Sequence, residues 1–229
     1  AVILFVAGMA LYPALVGALQ ARFARLATGT RLALATPALW TLVEWVRGWF
    51  LTGFPWLNLG YSQTDTPLAG FAPWVGVYGV SLAAAMSAGL IAAAVLEPKR
   101  RWKRHAPLLV LLWCLGWFAG QVSWAQPAGA PVKVALVQAA VPLAIKWRPE
   151  YRSAIVDTYV RLSESAPRAD LYVWPEAAVP GYFDQVAPHL LPRLDRIAQE
   201  RNADFLLGTI ERDVAARTYY NSVYALGGT

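Results

Sequence analysis

The chain has 229 residues, of which 57% are hydrophobic and 13% aromatic. Soluble domains use about 45–50% apolar residues, so the composition excludes an ordinary soluble protein. The formal net charge of +6 would suit a protein that binds nucleic acid. The charge is unevenly distributed, however. Residues 1–125 carry 9 Lys or Arg against 3 Asp or Glu, whereas residues 126–229 carry 11 basic and 11 acidic residues and are neutral. The whole excess lies beside apolar stretches, so we expect contact with a membrane and no nucleic-acid partner.

Four apolar stretches in the first half are about as long as a bilayer core requires, ~20 helical residues. They are residues 1–19, 32–54, 67–96 and 106–125. Backbone polar groups in lipid must be satisfied within their own segment, so we predict four transmembrane helices packed as an α-helical bundle. The predicted transmembrane domain is residues 1–125.

The charges between these stretches predict the orientation, because loops rich in Lys and Arg stay in the cytoplasm. The first and third loops are basic, whereas the second, residues 51–66, has no Lys or Arg. The basic residues are Arg22, Arg25 and Arg31 in the first loop and Lys99, Arg100, Arg101, Lys103 and Arg104 in the third. The fourth helix then runs outward and places residues 126–229 outside. In a bacterium with two membranes, we therefore expect the chain to be a multi-pass inner-membrane protein with a periplasmic domain.

Two features of the predicted membrane domain have more than one interpretation. Glu44 and Arg47 lie three residues apart on one helix face, either as a self-neutralising pair or as the lining of a polar cavity. The second loop, TGFPWLNLGYSQ (residues 52–63), is either an aromatic anchor at the lipid headgroups or an arm that shapes a lipid-entry site.

From residue 131 the pattern changes to strands and helices in alternation, which indicates an α/β layer fold. The predicted strands are residues 132–137, 170–174, 204–210 and 219–226, and the predicted helices are residues 150–166 and 188–203. Gly227 and Gly228 suggest a turn into further chain, so we expect a partial domain over residues 126–229.

Trp174-Pro175-Glu176 closes the second of these strands. Proline restricts the backbone beside it, and the carboxyl ends of strands in open α/β sheets face the ligand crevice. A carboxylate held there could act as a general base. The alternative, which the residues alone leave equally open, is a surface glutamate that caps the loop of residues 177–181.

Metal and cofactor chemistry find no support in the sequence. The only histidines are His105 and His189, and the one cysteine, Cys114, lies within an apolar stretch. There is no ligand cluster with metal spacing and no glycine loop for phosphate, so we expect neither a metal nor a cofactor.

Several segments resemble the nitrilase superfamily in order and spacing: VALVQA (residues 134–139), Lys146-Trp147, DLYVWPEAAVP (residues 170–180), GTIE (residues 208–211) and Tyr220-Asn221-Ser222. The membrane half is similar to the apolipoprotein N-acyltransferase family through EWVRGWFLTGFPWLNLGYSQ (residues 44–63) and PLAGFAPWVGVYGVS (residues 67–81). The resemblance implies a membrane bundle followed by a nitrilase-like domain, an α-β-β-α sandwich.

That family uses a Glu–Lys–Cys triad to move an acyl chain from a phospholipid, through a thioester, to the N-terminal amine of a diacylglyceryl-cysteine in an apolipoprotein. The resemblance gives Glu176 the role of the base. It associates Trp147 with substrate handling, and the alternative for Trp147 is a packed core aromatic. It places Asn221 close to the site, and the alternative for Asn221 is a turn or strand-end residue. The family's Lys and Cys come later than Thr229, so we expect a fragment lacking both ends that is inactive alone.

Two other functions remain open at this point. One is a membrane-anchored nitrilase-like amidase, or an acyltransferase with another acceptor. The other is a noncatalytic membrane protein whose external domain only binds lipid or lipoprotein.

Overall fold

A computed structural model describes residues 2–96 and 102–227. The chain separates after Pro127 into two compact units. Lys99, Arg100 and Arg101 of the predicted third loop, and Gly228 of the predicted turn, lie outside the described residues. The assignment of residues 1–125 to the membrane and of residues 126–229 to the external side stays a prediction.

The first unit is helical. Its helices are α1 (Val2–Ala21), α2 (Thr28–Thr30), α3 (Thr36–Arg47), α4 (Ala72–Leu96) and α5 (Trp102–Ala119). A π-helical turn, Arg31–Ala35, joins α2 to α3 without a break in the helical backbone. Helix α4 packs against α3 and α5, and α1 packs against α3.

Among the described residues, two helical segments are long and apolar enough to cross a membrane. They are Val2–Ala21 and Pro67–Leu96, with mean hydropathies of 2.2 and 2.0. The other two predicted spans are helical but do not reach this standard, and α5 starts with Lys103 and Arg104 in its first turn. Two spans are therefore supported by length and composition, and the four-span bundle stays a prediction.

The predicted span over residues 32–54 is wrong at its end, because α3 stops at Arg47. The backbone then turns left-handed at Leu51, Thr52 and Gly53, with φ of 51°, 74° and 84°. Left-handed residues cannot continue a right-handed helix. Residues 48–63 therefore form a connection with two short 3₁₀ segments, Phe50–Thr52 and Leu59–Gln63, rather than a membrane helix.

The second unit contains a four-stranded sheet in the order β1 (Val134–Leu136), β2 (Leu171–Val173), β3 (Asp204–Asp213) and β4 (Thr218–Leu226). The first three strands run parallel, and β4 pairs antiparallel with β3. Parallel neighbours need long crossover connections. These contain α6 (Leu143–Lys146) and α7 (Arg152–Ser165) before β2, and α8 (Phe183–Arg201) before β3.

One face of the sheet packs on α7 and α8 through a continuous apolar core. Tyr172 of β2 stacks on Phe205 of β3 at 4.9 Å, and both are fully buried, as are Leu190 and Leu194 of α8. Successive strand residues point to opposite faces. The other face carries exposed apolar side chains, including Leu136 and Val223, which are 80% and 70% exposed.

Helix α8 begins earlier than the sequence pattern predicts. The helix was expected over residues 188–203, with Pro188 near its start, but it spans Phe183–Arg201. Val186 is buried, and Phe183 packs against Tyr224 of β4 at 4.5 Å. This packing of the first turn outweighs the backbone hydrogen bond that Pro188 removes.

Candidate active site

Trp174 is anchored in the core and fixes where β2 ends. Its indole is 2% exposed, stacks on Tyr159 of α7 at 4.9 Å, and donates from Nε1 to Ser163 Oγ at 3.0 Å. Its backbone N–H donates to Leu206 O at 2.8 Å, which continues the pairing with β3. The chain therefore enters Pro175 and Glu176 from a rigid position.

The phenol group of Tyr159, as well as its ring, helps to hold Trp174 in place. Burial raises the pKa of the Tyr159 phenol, and a hydrogen bond with the backbone of Ala139 offsets part of that rise. A buried hydroxyl needs such a partner, because an unpaired one costs about 1–3 kcal/mol. Tyr159 thereby links α7, the segment after β1 and the Trp174 ring.

Gly208 of β3 lets the Pro175–Glu176 backbone pass close to the sheet. A Cβ at position 208 would lie 2.3 Å from Pro175 O and 2.7 Å from Glu176 Cα, closer than any real contact. Gly208 O also accepts from Ala178 N at 3.0 Å. Only glycine permits this approach, so Gly208 sets the height of Glu176 above the sheet.

Glu176 and Asn221 meet at this position, although they are 45 residues apart. Asn221 Nδ2 donates to Glu176 Oε1 at 2.6 Å. Asn221 lies inside β4, opposite Ile210 of β3, and so is not a turn or strand-end residue. The Glu176 side chain is exposed rather than partly desolvated. Among the described residues, no side chain or backbone group donates to its second oxygen, Oε2.

The loop after Glu176 is held in place by backbone and side-chain contacts. Ala177 has a left-handed backbone with φ of 48°, which reverses the chain. Arg152 of α7 then donates from Nε to Pro180 O at 2.9 Å. Glu176 thus belongs to a loop that is fixed at both ends.

Trp147 lies apart from this pair. It follows α6 directly, is 50% exposed and carries the Lys146 ammonium 5.5 Å from its ring centre. It is therefore not a packed core aromatic. Within the described part of the chain, no hydrogen bond or ring contact joins it to Glu176 or Asn221.

The arrangement suits proton transfer. An exposed carboxylate with one oxygen fixed by an amide and the other available can accept a proton from a substrate or nucleophile within hydrogen-bonding reach. No three His, Cys, Asp or Glu side chains come together to hold a metal ion within residues 2–96 and 102–227.

Sequence reasoning missed the residues that support Glu176. Gly208 carries a readable signal, since an isolated glycine inside a strand pattern indicates a bulge or a close backbone approach. Ser163 and Tyr159 carry no such signal. Their partnership with Trp174 depends on how α7 packs across β2.

Comparison with known families matches both units. Residues 1–90 match the family model described as "Apolipoprotein N-acyltransferase N-terminal domain", and residues 133–229 match "Carbon-nitrogen hydrolase". The first unit is thus similar to apolipoprotein N-acyltransferases, and the second is similar to carbon-nitrogen hydrolases. The mixed sheet with helices on one face fits the nitrilase-like fold of the carbon-nitrogen hydrolases.

Curated relatives named apolipoprotein N-acyltransferase match nearly the whole chain. The relative from Methylococcus capsulatus is 42% identical over 98% of this chain and 44% of its own length. The relative from Nitrosomonas europaea is 40% identical over 99% of this chain and 45% of its own length. The relative from Pseudomonas putida is 42% identical over 85% of this chain and 39% of its own length. The chain thus spans less than half the length of these relatives.

Proposed function

We propose that this protein transfers an acyl chain from a phospholipid to the N-terminal amine of the diacylglyceryl-cysteine of an apolipoprotein. The observation that carries the proposal is the identity of about 40% across both units, in the same order, to relatives that bear the name of this activity. The membrane is then the source of the donor, and the apolipoprotein is the acceptor.

Glu176 is the general base of the proposed reaction. It takes the proton of a cysteine thiol as the sulfur attacks the ester carbonyl of the phospholipid. The carbon–oxygen bond breaks, the lysophospholipid leaves with that proton, and a thioester remains. The neutral acceptor amine then attacks the thioester carbonyl, and Glu176 takes a proton from that nitrogen. The carbon–sulfur bond breaks, and the proton passes from Glu176 to the departing thiolate, which restores the free base and the thiol. This is the usual two-step logic of covalent catalysis.

Asn221 orients that base. Its amide occupies Glu176 Oε1 at 2.6 Å, which leaves Oε2 to face the reacting proton. A neutral amide fixes the carboxylate without competing for the proton. The Glu176–Asn221 pair therefore supplies one part of a Glu–Lys–Cys triad, together with its positioning.

Trp147 handles the lipid substrate. A half-exposed indole beside a lysine ammonium presents an apolar ring and a positive charge together. Acyl chains pack against aromatic rings, and phosphate oxygens pair with ammonium groups. Lys146 and Trp147 are thus suited to a phospholipid at the opening of the site.

The open face of the sheet supports the α-β-β-α sandwich. The helices cover one face, and the opposite face exposes apolar side chains such as Leu136 and Val223. Two sheets that pack face to face bury such surfaces about 10 Å apart. A second sheet would complete the domain.

The localisation that we propose is the bacterial inner membrane, with four spans and the second unit in the periplasm. This proposal is based on the charge pattern of the loops.

The experiment replaces Glu176 with glutamine in the full-length protein. Glu176→Gln keeps the shape and removes the base, so we expect acyl transfer to fall by about 10²–10⁴-fold with unchanged thermal unfolding. Mass spectrometry of the enzyme thioester and of the triacylated product reads the two steps. Glu211→Gln is the matched control, because Glu211 is also exposed and bonds a β4 side chain, Ser222, at 3.1 Å. Normal thioester formation in Glu176→Gln contradicts the proposed role. Hydrolysis of amides without acyl transfer by the unmodified protein contradicts the proposed reaction.

A further inference from the structure

The first unit buries a cluster of polar and charged side chains at the end of α3. Glu44 is 4% exposed and Asn58 is 3% exposed, although each lies in a largely apolar unit. Arg47, one helical turn after Glu44, is half-buried. Ionisable groups in such surroundings are costly, so they need a physical reason.

These side chains hold the connection that follows α3. Glu44 Oε1 accepts from Leu59 N at 2.8 Å and from Trp40 Nε1 at 2.9 Å. Arg47 Nη2 donates to Asn58 Oδ1 at 2.5 Å. Glu44 and Arg47, which lie one helical turn apart, thus both form hydrogen bonds with the same short segment.

Other backbone bonds complete the attachment of residues 54–60. Phe54 N donates to Arg47 O at 2.8 Å, and Gly60 N donates to Ser81 Oγ of α4 at 2.8 Å. The segment between these points carries Trp56 and Leu57, which are 61% and 82% exposed. Exposed side chains contribute little packing, and Leu57 has a strained φ of 62°. The buried hydrogen bonds therefore fix the shape of this segment.

The same cluster holds buried polar atoms without a partner among the described residues: Glu44 Oε2, Arg47 Nε and Asn58 Nδ2. Burial of such an atom without a partner destabilises the folded state, and it does so more strongly for a charged group. Within the described part of the chain, no ion pair joins Glu44 to Arg47. Their opposite charges therefore remain uncompensated by direct contact.

A cavity of about 30 Å³ lies where Glu44 and Arg47 meet α1. Its other lining residues are Tyr12, Pro13, Val16, Trp40 and Val43. A site needs roughly 10–15 Å³ and two or more polar partners to hold one water. Glu44 Oε2 accepts and Arg47 Nε donates, which is the complement that a bridging water requires.

We propose that an ordered water in this cavity bridges Glu44 Oε2 and Arg47 Nε, and that the hydrated pair is a clamp that positions residues 54–60. Glu44 and Arg47 are positioning residues in this proposal. The water accepts from the guanidinium and donates to the carboxylate. The clamp does not depend on the proposed acyl transfer, because its tests need no turnover.

The first test is an experimental structure of the full-length protein at a resolution that shows ordered water. We expect density for a water within hydrogen-bonding distance of both Glu44 Oε2 and Arg47 Nε. A direct contact between the carboxylate and the guanidinium, or a cavity without solvent density, overturns the bridge.

The second test is a double-mutant cycle on thermal unfolding in detergent. Glu44→Gln keeps an acceptor for Leu59 N but leaves the guanidinium without its counter-charge, so the unfolding temperature should fall. Adding Arg47→Met removes that buried charge and should restore part of the loss. Additive effects of the two substitutions overturn the coupling. Asp65→Asn, at an exposed acid of the same unit, is the control and should change nothing.

The third test measures hydrogen exchange of the peptide that contains residues 54–60. Glu44→Ala removes the acceptor of Leu59 N, so exchange there should accelerate about tenfold or more, whereas Glu44→Gln should accelerate it less. Peptides from α4 should keep their protection in both variants. Unchanged exchange in Glu44→Ala contradicts a positioning role, and uniform acceleration across α4 indicates a general loss of structure and contradicts it too.

Discussion

Gly208→Ala should damage the site without changing any group that takes part in chemistry. The new Cβ would lie 2.3 Å from Pro175 O, whereas ordinary van der Waals contact begins at 3.4 Å. The Pro175–Glu176 backbone would therefore have to retreat by about 1 Å, because steep repulsion forbids the shorter distance. The obstacle is backbone rather than side chain, so a rotamer change cannot relieve the clash.

Two magnitudes follow from this displacement. Overpacking of this kind costs about 1–3 kcal/mol of folding free energy. A misplacement of about 1 Å at a reacting group costs roughly 10²-fold in rate. Because Glu176 is also tied to Asn221 at 2.6 Å, a shift away from β3 strains that bond as well. We expect a larger loss in acyl transfer than the modest loss of stability explains.

The assay is thioester formation by the full-length protein, measured beside thermal unfolding. Gly17→Ala in α1 is the control. A Cβ at that position meets nothing within 4 Å, so it should change neither activity nor unfolding. Activity within about threefold of the unmodified protein in Gly208→Ala, with unchanged unfolding, would show that the Glu176 backbone does not depend on a glycine at this position, since threefold is under 1 kcal/mol.

Two further predictions concern the neighbours of Glu176. Tyr159→Phe keeps the stack on Trp174 but loses the Ala139 hydrogen bond, which should cost about 1 kcal/mol at neutral pH. Burial raises the pKa of the Tyr159 phenol above its ordinary value of 10.0. The stabilisation by the phenol is therefore complete below about pH 10 and is lost as the pH rises through the pKa of the folded state. Unfolding measured across this pH range should show a shrinking difference in stability between the unmodified protein and the Tyr159→Phe variant. Asn221→Ala should lower acyl transfer about tenfold by releasing Glu176, the effect of one lost hydrogen bond to a charged group. Asn221→Asp should lower it further through like-charge repulsion, and equal rates in the two variants would show that orientation of the carboxylate is unimportant.

Local patterns predicted the second unit well. All four predicted strands form, within a few residues of their expected bounds, because β-branched and aromatic runs between turn residues fit a half-buried sheet. Helix α8 was misjudged at its start, because Pro188 lowers local propensity whereas the packing of Phe183 is a tertiary effect. Helix propensity depends only on local sequence, whereas the start of α8 is set by its contact with β4.

The candidate site was only partly readable. Glu176 stood out through its place after an apolar strand, and Asn221 only through the family resemblance. The contact between them joins positions 45 residues apart, and no periodicity in the sequence reports it. The partners of Glu44 were equally hidden. The spacing to Arg47 left open a self-neutralising pair or the lining of a polar cavity, and the structure gives each residue a partner in the connection after α3.

The register of the β3–β4 hairpin decides whether Glu176 has an orienting partner. Gly208 and Ile210 share one face of β3, and Asn221 pairs with Ile210, so Asn221 projects from the face over which Glu176 passes. A slip of one residue in this pairing would turn every β4 side chain to the opposite face and send Asn221 toward the helices. The pairing extends over all nine residues of β4, which gives the slip a high cost. The hairpin therefore acts as part of the site, because the glycine that admits the Glu176 backbone and the asparagine that holds its carboxylate are set by one register.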